Sequence, residues 1–293
     1  MQLFGLLNLN KPTGITSRGL VDQVQRLDRS VKVGHSGTLD PLASGVVVLG
    51  VGHATRLVEY LQEMPKRYRG TFLLGRSSTT EDIEGTITEH PDAPIPTLEQ
   101  LKHAAGRLSG GEIQQRPPAF SALKVGGRRA YDLARAGEPP DLPPRVVRVD
   151  RLTIVRYEYP ELVVDVECGG GTYIRSLGRD LAELAGSAAV MSALVRTAVG
   201  SFTLESALDP AVLTRYNLAE YLLNAKGAVE GLMEQVVLAA AEQQRIAHGL
   251  TVAAASVSGE RCAALDESGR LVAILGRRPD GSFRAVKNFA HGD

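Results

Sequence analysis

Residues 34–56 read GHSGTLDPLASGVVVLGVGHATR. Their later part, 46–51, is a short, continuous, β-branched run, which predicts a buried strand. Ahead of it, Gly34, Gly37 and Gly45 let the backbone come close to a ligand. Asp40-Pro41 after Gly-Thr is turn chemistry. Asp40 is the only acid between Asp28 and Glu59. A lone carboxylate on a loop positioned by a rigid strand suits nucleophilic or general-base work. A glycoside hydrolase would need a second carboxylate roughly 5–10 Å from the first, and nothing in the sequence nominates one.

Outward from this stretch, helices and strands are mixed without a strict βαβ rhythm, which predicts an α+β fold. Residues 3–9 read as a strand ending at Asn10-Lys11-Pro12. Thr16 or Ser17 can cap a helix whose Leu20, Val24 and Leu27 fall at helical spacing. A helix is expected over 53–64, with Leu57, Val58 and Leu61 on one face, and an alternating strand over 68–74. Residues 97–108 read as a helix, and the glycine and proline pairs of 110–127 as loop. Strands are expected over 145–155 and 162–168, then a break at Gly169-Gly170-Gly171, then a helix over 173–185. From 249 onward TVAAAS, CAALD, LVAILG and FRAVKNF read as short strands of a small β-rich C-terminal domain. We divide the chain into 1–235 and 236–293. A C-terminal piece of this size is below what comfortably holds a core alone, so it is expected to dock on the rest.

The 293 residues carry 33 basic and 33 acidic side chains. The balance is local rather than uniform. Over 102–156 Lys and Arg outnumber acids eleven to five, whereas 201–243 is acidic. A basic segment of that kind suits a nucleic-acid partner in a way the zero net charge does not. No apolar run reaches the roughly 20 residues of a membrane span, and MQLFGLLNLNKP lacks the basic lead of a signal peptide. Cys168 and Cys262 are far apart, with no Cys-x-x-Cys and no Cys/His cluster. A disulfide framework and a metal site are therefore not expected, and a cytoplasmic location is.

Six blocks, in order, give the sequence a family. Lys11-Pro12-Thr13-Gly14-Ile15-Thr16-Ser17 is the first, and Gly34-His35-Ser36-Gly37-Thr38-Leu39-Asp40-Pro41 with Gly52-His53-Ala54-Thr55-Arg56 the second. Lys66-Arg67-Tyr68 with Leu74, Gly75, Thr79, Thr80, Asp82 and Gly85 follows. Then come Gln115-Arg116-Pro117-Pro118-Ala119-Phe120-Ser121-Ala122-Leu123-Lys124, the CGGGTYIRSL of 168–177, and Leu194-Val195-Arg196-Thr197 with Gly200 and Phe202. Together they closely resemble the TruB family of tRNA pseudouridine synthases. The end of the chain is similar, more weakly, to that family's PUA-type RNA-binding domain.

The resemblance implies a pseudouridine synthase fold with a mixed, largely antiparallel central sheet flanked by helices. It implies isomerisation of a T-loop uridine of tRNA, uridine 55, to pseudouridine. The bond from N1 to C1′ breaks, the base turns, and C5 bonds to C1′. Nothing is oxidised and no group is lost, so no cofactor is expected. Asp40 becomes the catalytic carboxylate, Tyr68 the ring that stacks on the flipped base, and Arg175 the guanidinium that keeps Asp40 ionised through an ion pair. His35 fills the hole left in the RNA loop. Leu194 packs near the base, and Lys11 with Pro12 shapes the pocket floor. Gly37, Thr38, Lys124 and Tyr173, borne by the same blocks, complete the substrate-binding set. The implied partner is the T-arm stem-loop of tRNA, with no membrane. Archaeal and eukaryotic relatives take their target from a guide RNA. The early first block and the lack of a long basic tail instead favour the stand-alone bacterial form without one, and a monomer is expected. The remaining rival is an RNA-folding protein on the same fold, against which intact Asp40, Tyr68 and Arg175 stand.

Overall fold

The computed structural model describes residues 3–121, 123–254 and 256–289, so Ala122 of the Gln115 block lies outside the described residues. Packing divides the chain into two compact units. One comprises Met1–Pro41, Gly45–Met64 and Val199–Asp293, the other Leu42–Ser44 and Pro65–Ala198. This line differs from a cut at 235, because the C-terminal strands fall in the same unit as the N-terminal ones.

In the first unit the strand Ser44–Val51 is buried at all but its first residue, as its β-branched run requires. Gly5–Lys11 runs antiparallel to it, from Gly5 opposite Val51 to Lys11 opposite Gly45. Val33–His35 also pairs with it, antiparallel. The helix Ser17–Leu27 is capped by Thr16, whose Oγ1 accepts from Gly19 N at 2.9 Å. Its buried stripe is Leu20, Val21 and Val24, and Leu27 is only half-buried. The helix expected over 53–64 divides in two. Gly52, at φ 65°, opens a 3₁₀ turn Gly52–Leu57, and only Val58–Glu63 is α-helical. Thr55 Oγ1 donates to Gly52 O at 2.9 Å and holds the tighter turn.

The C-terminal sheet of the same unit runs Glu234–Val237, Arg261–Leu265, Leu271–Arg277, Phe283–Asn288. Its first pairing is parallel and the other two antiparallel. TVAAAS forms no strand. Val252 makes a single bridge to Phe283. One cluster, including Leu238, Ile246, Cys262, Leu275 and Phe283, belongs to this module. A second joins Ala263, Leu265, Leu271, Ile274 and Phe289 to Leu6, Val46, Val48, Leu57 and Leu61. The small C-terminal module thus completes its core with residues of the N-terminal strands, which answers its shortage of size.

In the second unit the strand order is Ala189–Val199, Lys66–Leu74, Glu161–Cys168, Arg145–Glu158, Gly111–Gln115. The last three pairings are antiparallel. Gly111–Gln115, expected as loop, is a strand because the Arg145–Val149 segment offers it an edge. Leu98–Arg107 is a helix with a capping box between Thr97 and Gln100. The helix Ile174–Leu184 lays Ile174, Leu177, Gly178 and Leu181 against Phe72, Val164 and Val166 of the sheet. The fold is α+β with largely antiparallel sheets, and among the described residues no helix is long and apolar enough to cross a membrane.

Candidate active site

The candidate residues divide between the two units. In the first, Asp40 is half-buried on the turn that precedes the strand Ser44–Val51. The residues on either side of it are anchored. Leu39, buried, donates its N–H to Ser17 Oγ at 2.8 Å, and Ser17 Oγ reaches back to Leu39 O at 3.4 Å. Pro41 O accepts from Gly14 N at 2.8 Å. Gly14 sits at φ 85°, where a side chain would be strained. The backbone on either side of Asp40 is therefore held by three long-range hydrogen bonds to two residues of the first sequence block, Ser17 and Gly14. None of these bonds is visible as a local pattern.

That first block is itself tied down by Lys11. Its side chain is fully buried, and Nζ donates to Pro12 O at 2.9 Å and Ile15 O at 2.7 Å. Burying an ammonium is costly unless it is hydrogen-bonded, so Lys11 is a structural fastener of the loop 12–15. Pro12 and Thr38 are exposed, and His35 and Gly37 half-buried. Gly37 N donates to His35 Nδ1 at 3.3 Å, which orients the ring.

In the second unit Tyr68, half-buried, lies on Lys66–Leu74 opposite Val166, on the same face as Gly70 and Phe72. Arg175, the second residue of the helix Ile174–Leu184, is buried rather than a surface arginine. Its Nη1 donates to Thr80 O at 2.5 Å and lies 3.4 Å from Asp82 Oδ2. Its Nη2 donates to Phe120 O at 3.1 Å. Asp82 is buried too, and its Oδ1 accepts from Thr80 Oγ1 at 2.5 Å and Glu84 N at 3.1 Å. Asp82 belongs to the third sequence block, but the sequence does not assign it this task. Its signal was the block itself, since spacing alone does not say which arginine it meets.

Beside this pair stands a second one. Glu81 Oε1 accepts from Arg179 Nη1, and Oε2 from Ser176 Oγ at 2.6 Å. Burial pushes the Glu81 carboxyl above its ordinary value, against the pull of Arg179 and Ser176. Burial likewise pushes the Cys168 thiol up to about 11, which leaves it a protonated, inert packing residue.

Tyr173 caps the same helix. Its N–H donates to Gln115 Oε1 at 2.9 Å and its carbonyl accepts from Gln115 Nε2 at 3.0 Å. The Arg145 guanidinium lies over its ring, 5.0 Å from the centroid. Gln115 stands at the head of its sequence block, but this two-way grip on a backbone has no sequence signature. Leu194 is buried on Ala189–Val199, and Lys124 is exposed on a two-residue strand opposite Arg129. Among the described residues no three His, Cys, Asp or Glu gather as a metal set.

The arrangement offers one poised carboxylate in the first unit. In the second it offers an aromatic ring and a guanidinium held by a buried acid. Residues 25–174 match the family model described as the TruB family pseudouridylate synthase N-terminal domain. A tRNA pseudouridine synthase B of Mycobacterium bovis is 39% identical over 289 residues, covering 95% of this chain and 93% of that protein. Proteins of the same name from Gluconobacter oxydans and Rhodopirellula baltica are 47% and 43% identical, and the matched parts span 61% and 62% of their lengths. Among solved structures, a chain of a Cbf5–Nop10–Gar1 complex superposes with TM-score 0.72 at 25% identity, covering 94% of this chain and 78% of that one. A chain of an archaeal box H/ACA Nop10–Cbf5 complex, 23% identical, does so with TM-score 0.72 over 98% of this chain and 86% of that one, and shares the fold.

Proposed function

Because the chain belongs to the TruB family of pseudouridylate synthases, we propose that it converts uridine 55 in the T loop of tRNA to pseudouridine, with Asp40 as the catalytic carboxylate. The observation that carries the reading is the anchored Asp40. It is the one acid of its loop, and Ser17 and Gly14 fix its neighbours. A reaction of this type balances without a co-reactant. The N1–C1′ bond is exchanged for C5–C1′, the proton on C5 leaves, and N1 takes one up.

In this reading the target base leaves its stack, which costs a few kcal/mol. Tyr68 returns about 1–3 kcal/mol by stacking on it. Arg175 supplies positive charge to the working site. His35 fills the space the base leaves, Leu194 packs beside the base, and Lys11 and Pro12 shape the floor. Gly37, Thr38, Tyr173 and Lys124 contact the RNA. The exposed Lys102, Arg107, Lys124, Arg128 and Arg135 face phosphates. Residues 236–293 act as a PUA-like RNA-binding domain beside a catalytic part, 1–235. The protein works in the cytoplasm as a monomer, on tRNA itself rather than through a guide RNA. The curated relative matched along 93% of its length supports that choice.

The test is tritium release from a T-arm stem-loop labelled at C5 of its uridines. Wild type is expected to release the label of one uridine stoichiometrically, and Asp40→Asn to bind the RNA without release. Tight binding with no release by the wild type would overturn the enzymatic reading, and free uracil as product would mark a glycosidase.

A further inference from the structure

We propose that Glu81, with Ser176 and Arg179, is a positioning clamp that holds the turn presenting Thr80 O and Asp82 to Arg175. The proposal rests on the assignment of Arg175 to the working site made above.

The starting point is a backbone angle. Glu81 sits at φ 64°, and it is the only non-glycine residue with positive φ among the described residues. For a residue with a Cβ this conformation is strained by about 1–2 kcal/mol. Such strain persists only where the surroundings over-determine it. Here they do so from two sides. The Glu81 side chain is fixed to the helix Ile174–Leu184 through Ser176 Oγ and Arg179 Nη1. The Glu81 backbone is fixed to the strand Ala189–Val199, because Met191 N donates to Glu81 O at 3.0 Å. The next residue but one continues the attachment, with Ile83 N donating to Met191 O at 3.0 Å.

Two of the acceptors around Arg175 flank this strained residue directly. Thr80 O precedes it and the Asp82 carboxylate follows it. Arg175 and Arg179 are one helical turn apart, so consecutive carboxylates of one turn grip consecutive turns of one helix. Relaxing Glu81 to negative φ would redirect these two Arg175 acceptors at once. A displacement on the order of 1 Å in a catalytic group costs about 100-fold in rate. Arg179 keeps other partners when Glu81 is removed, since it also donates to Asp180 Oδ1 at 2.6 Å and Arg116 O at 3.0 Å. The loss is thus directed at the turn more than at the arginine.

Substitution by two small residues separates holding the turn from merely packing it. Glycine takes φ 64° at no steric cost and alanine does not. In single-turnover tritium release on the T-arm stem-loop, Glu81→Ala is expected to slow the rate about tenfold or more, with RNA Kd within about twofold of wild type. Glu81→Gly, although it removes the same contacts, is expected to recover at least about threefold of that loss. If Glu81→Gly is as slow as Glu81→Ala or slower, the residue acts through packing and the clamp is overturned. A wild-type rate for Glu81→Ala, beside a slow Arg175→Met, also overturns the clamp and leaves the Arg175 assignment standing. A wild-type rate for Arg175→Met overturns that assignment instead. Should Glu81→Ala fail to fold, Glu81→Gln keeps the size and one of the two acceptor oxygens, puts an NH2 donor in place of the other, and loses the charge. It is expected to slow the reaction about threefold or more, and a wild-type rate would overturn the clamp.

Discussion

Ser17 Oγ and the backbone of Leu39 close a two-way hydrogen bond, Leu39 N to Oγ at 2.8 Å and Oγ to Leu39 O at 3.4 Å, across 22 residues of chain. Both residues are buried, and Leu39 is the residue before Asp40. Ser17→Ala leaves the Leu39 N–H buried and unpaired, which costs about 1–3 kcal/mol of stability. It also frees one of the two anchors of the turn. The expected outcome is a lowered Tm and a single-turnover rate reduced about tenfold, with RNA affinity near wild type. An unchanged rate in a folded Ser17→Ala protein would show that the Gly14–Pro41 bond alone positions Asp40.

Asp82 and Arg175 form an ion pair whose side chains are 4% and 6% exposed. A buried pair adds little net stability, but removing one partner strands the other and costs about 3–5 kcal/mol. Asp82→Asn retains an acceptor for Thr80 Oγ1 and loses the charge facing the guanidinium. It is expected to lower Tm and to reduce the single-turnover rate about 100-fold. The decisive comparison is with Asp141, which pairs with Arg116 at 3.2 Å where the side chains are 88% and 59% exposed. Asp141→Asn is expected to change stability by less than about 1 kcal/mol.

Phe289 stacks on Phe4 with ring centroids 5.3 Å apart and carries the Arg56 guanidinium at 5.3 Å. It thereby fastens the C-terminal strand to the N-terminal one within a shared apolar cluster. Phe289→Ala is expected to destabilise by about 3 kcal/mol, read as a shift in urea midpoint with an unchanged m-value. Removing residues 236–293 strips Ala263, Leu265, Leu271 and Ile274 from the same cluster. It is expected to give insoluble protein rather than a working catalytic fragment.

How legible this was from sequence depends on range. The strand Ser44–Val51, the Thr16 cap and the helix Ile174–Leu184 follow from patterns a few residues long, and the structure carries them. Gly111–Gln115 was hidden because an edge strand exists only where a neighbour offers its ladder, here 34 residues later in the chain. The Gly52–Leu57 turn was hidden because 3₁₀ and α turns share their apolar spacing. At the site, Asp40 and Arg175 were named through blocks. Their supports, Ser17, Asp82, Glu81 and Gln115, act through long-range hydrogen bonds and ion pairs that no periodicity encodes.

Asp266 shows how one such network sets a pH limit. Burial pushes its carboxyl up, but Ser268 Oγ, the Arg270 N–H and the Arg270 guanidinium outweigh this and bring it down to about 2. A carboxyl lowered in the folded state contributes stability above its unfolded value, 3.8, and loses it as pH falls toward 2. Because Arg270 is largely exposed, solvent screening reduces the contribution to about 1 kcal/mol. Asp266→Asn is expected to be less stable than wild type at pH 7. The gap in urea midpoint should close between about pH 4 and pH 2. A gap that stays constant over that window would mean that the charge of Asp266 contributes nothing.

Gly178 tests the helix that carries Arg175. On propensity alone, Gly178→Ala in a helix interior should stabilise by about 1 kcal/mol. Packing reverses the sign. A Cβ at position 178 would overlap the edge of the Phe72 ring at Cε1, and Phe72 is 1% exposed. Forcing in the methyl moves ring or helix at a cost of about 1–3 kcal/mol or more. The helix is the part with freedom to move, since the Phe72 backbone is locked opposite Leu162 in the sheet. Displacing it shifts Arg175, three residues earlier, away from Thr80 O and Asp82. Gly178→Ala is therefore expected to lower Tm and the single-turnover rate together, and Gly178→Ala with Phe72→Leu to recover both in part. A more stable Gly178→Ala protein would mean that propensity outweighs the contact with Phe72 and that this helix is not seated by it.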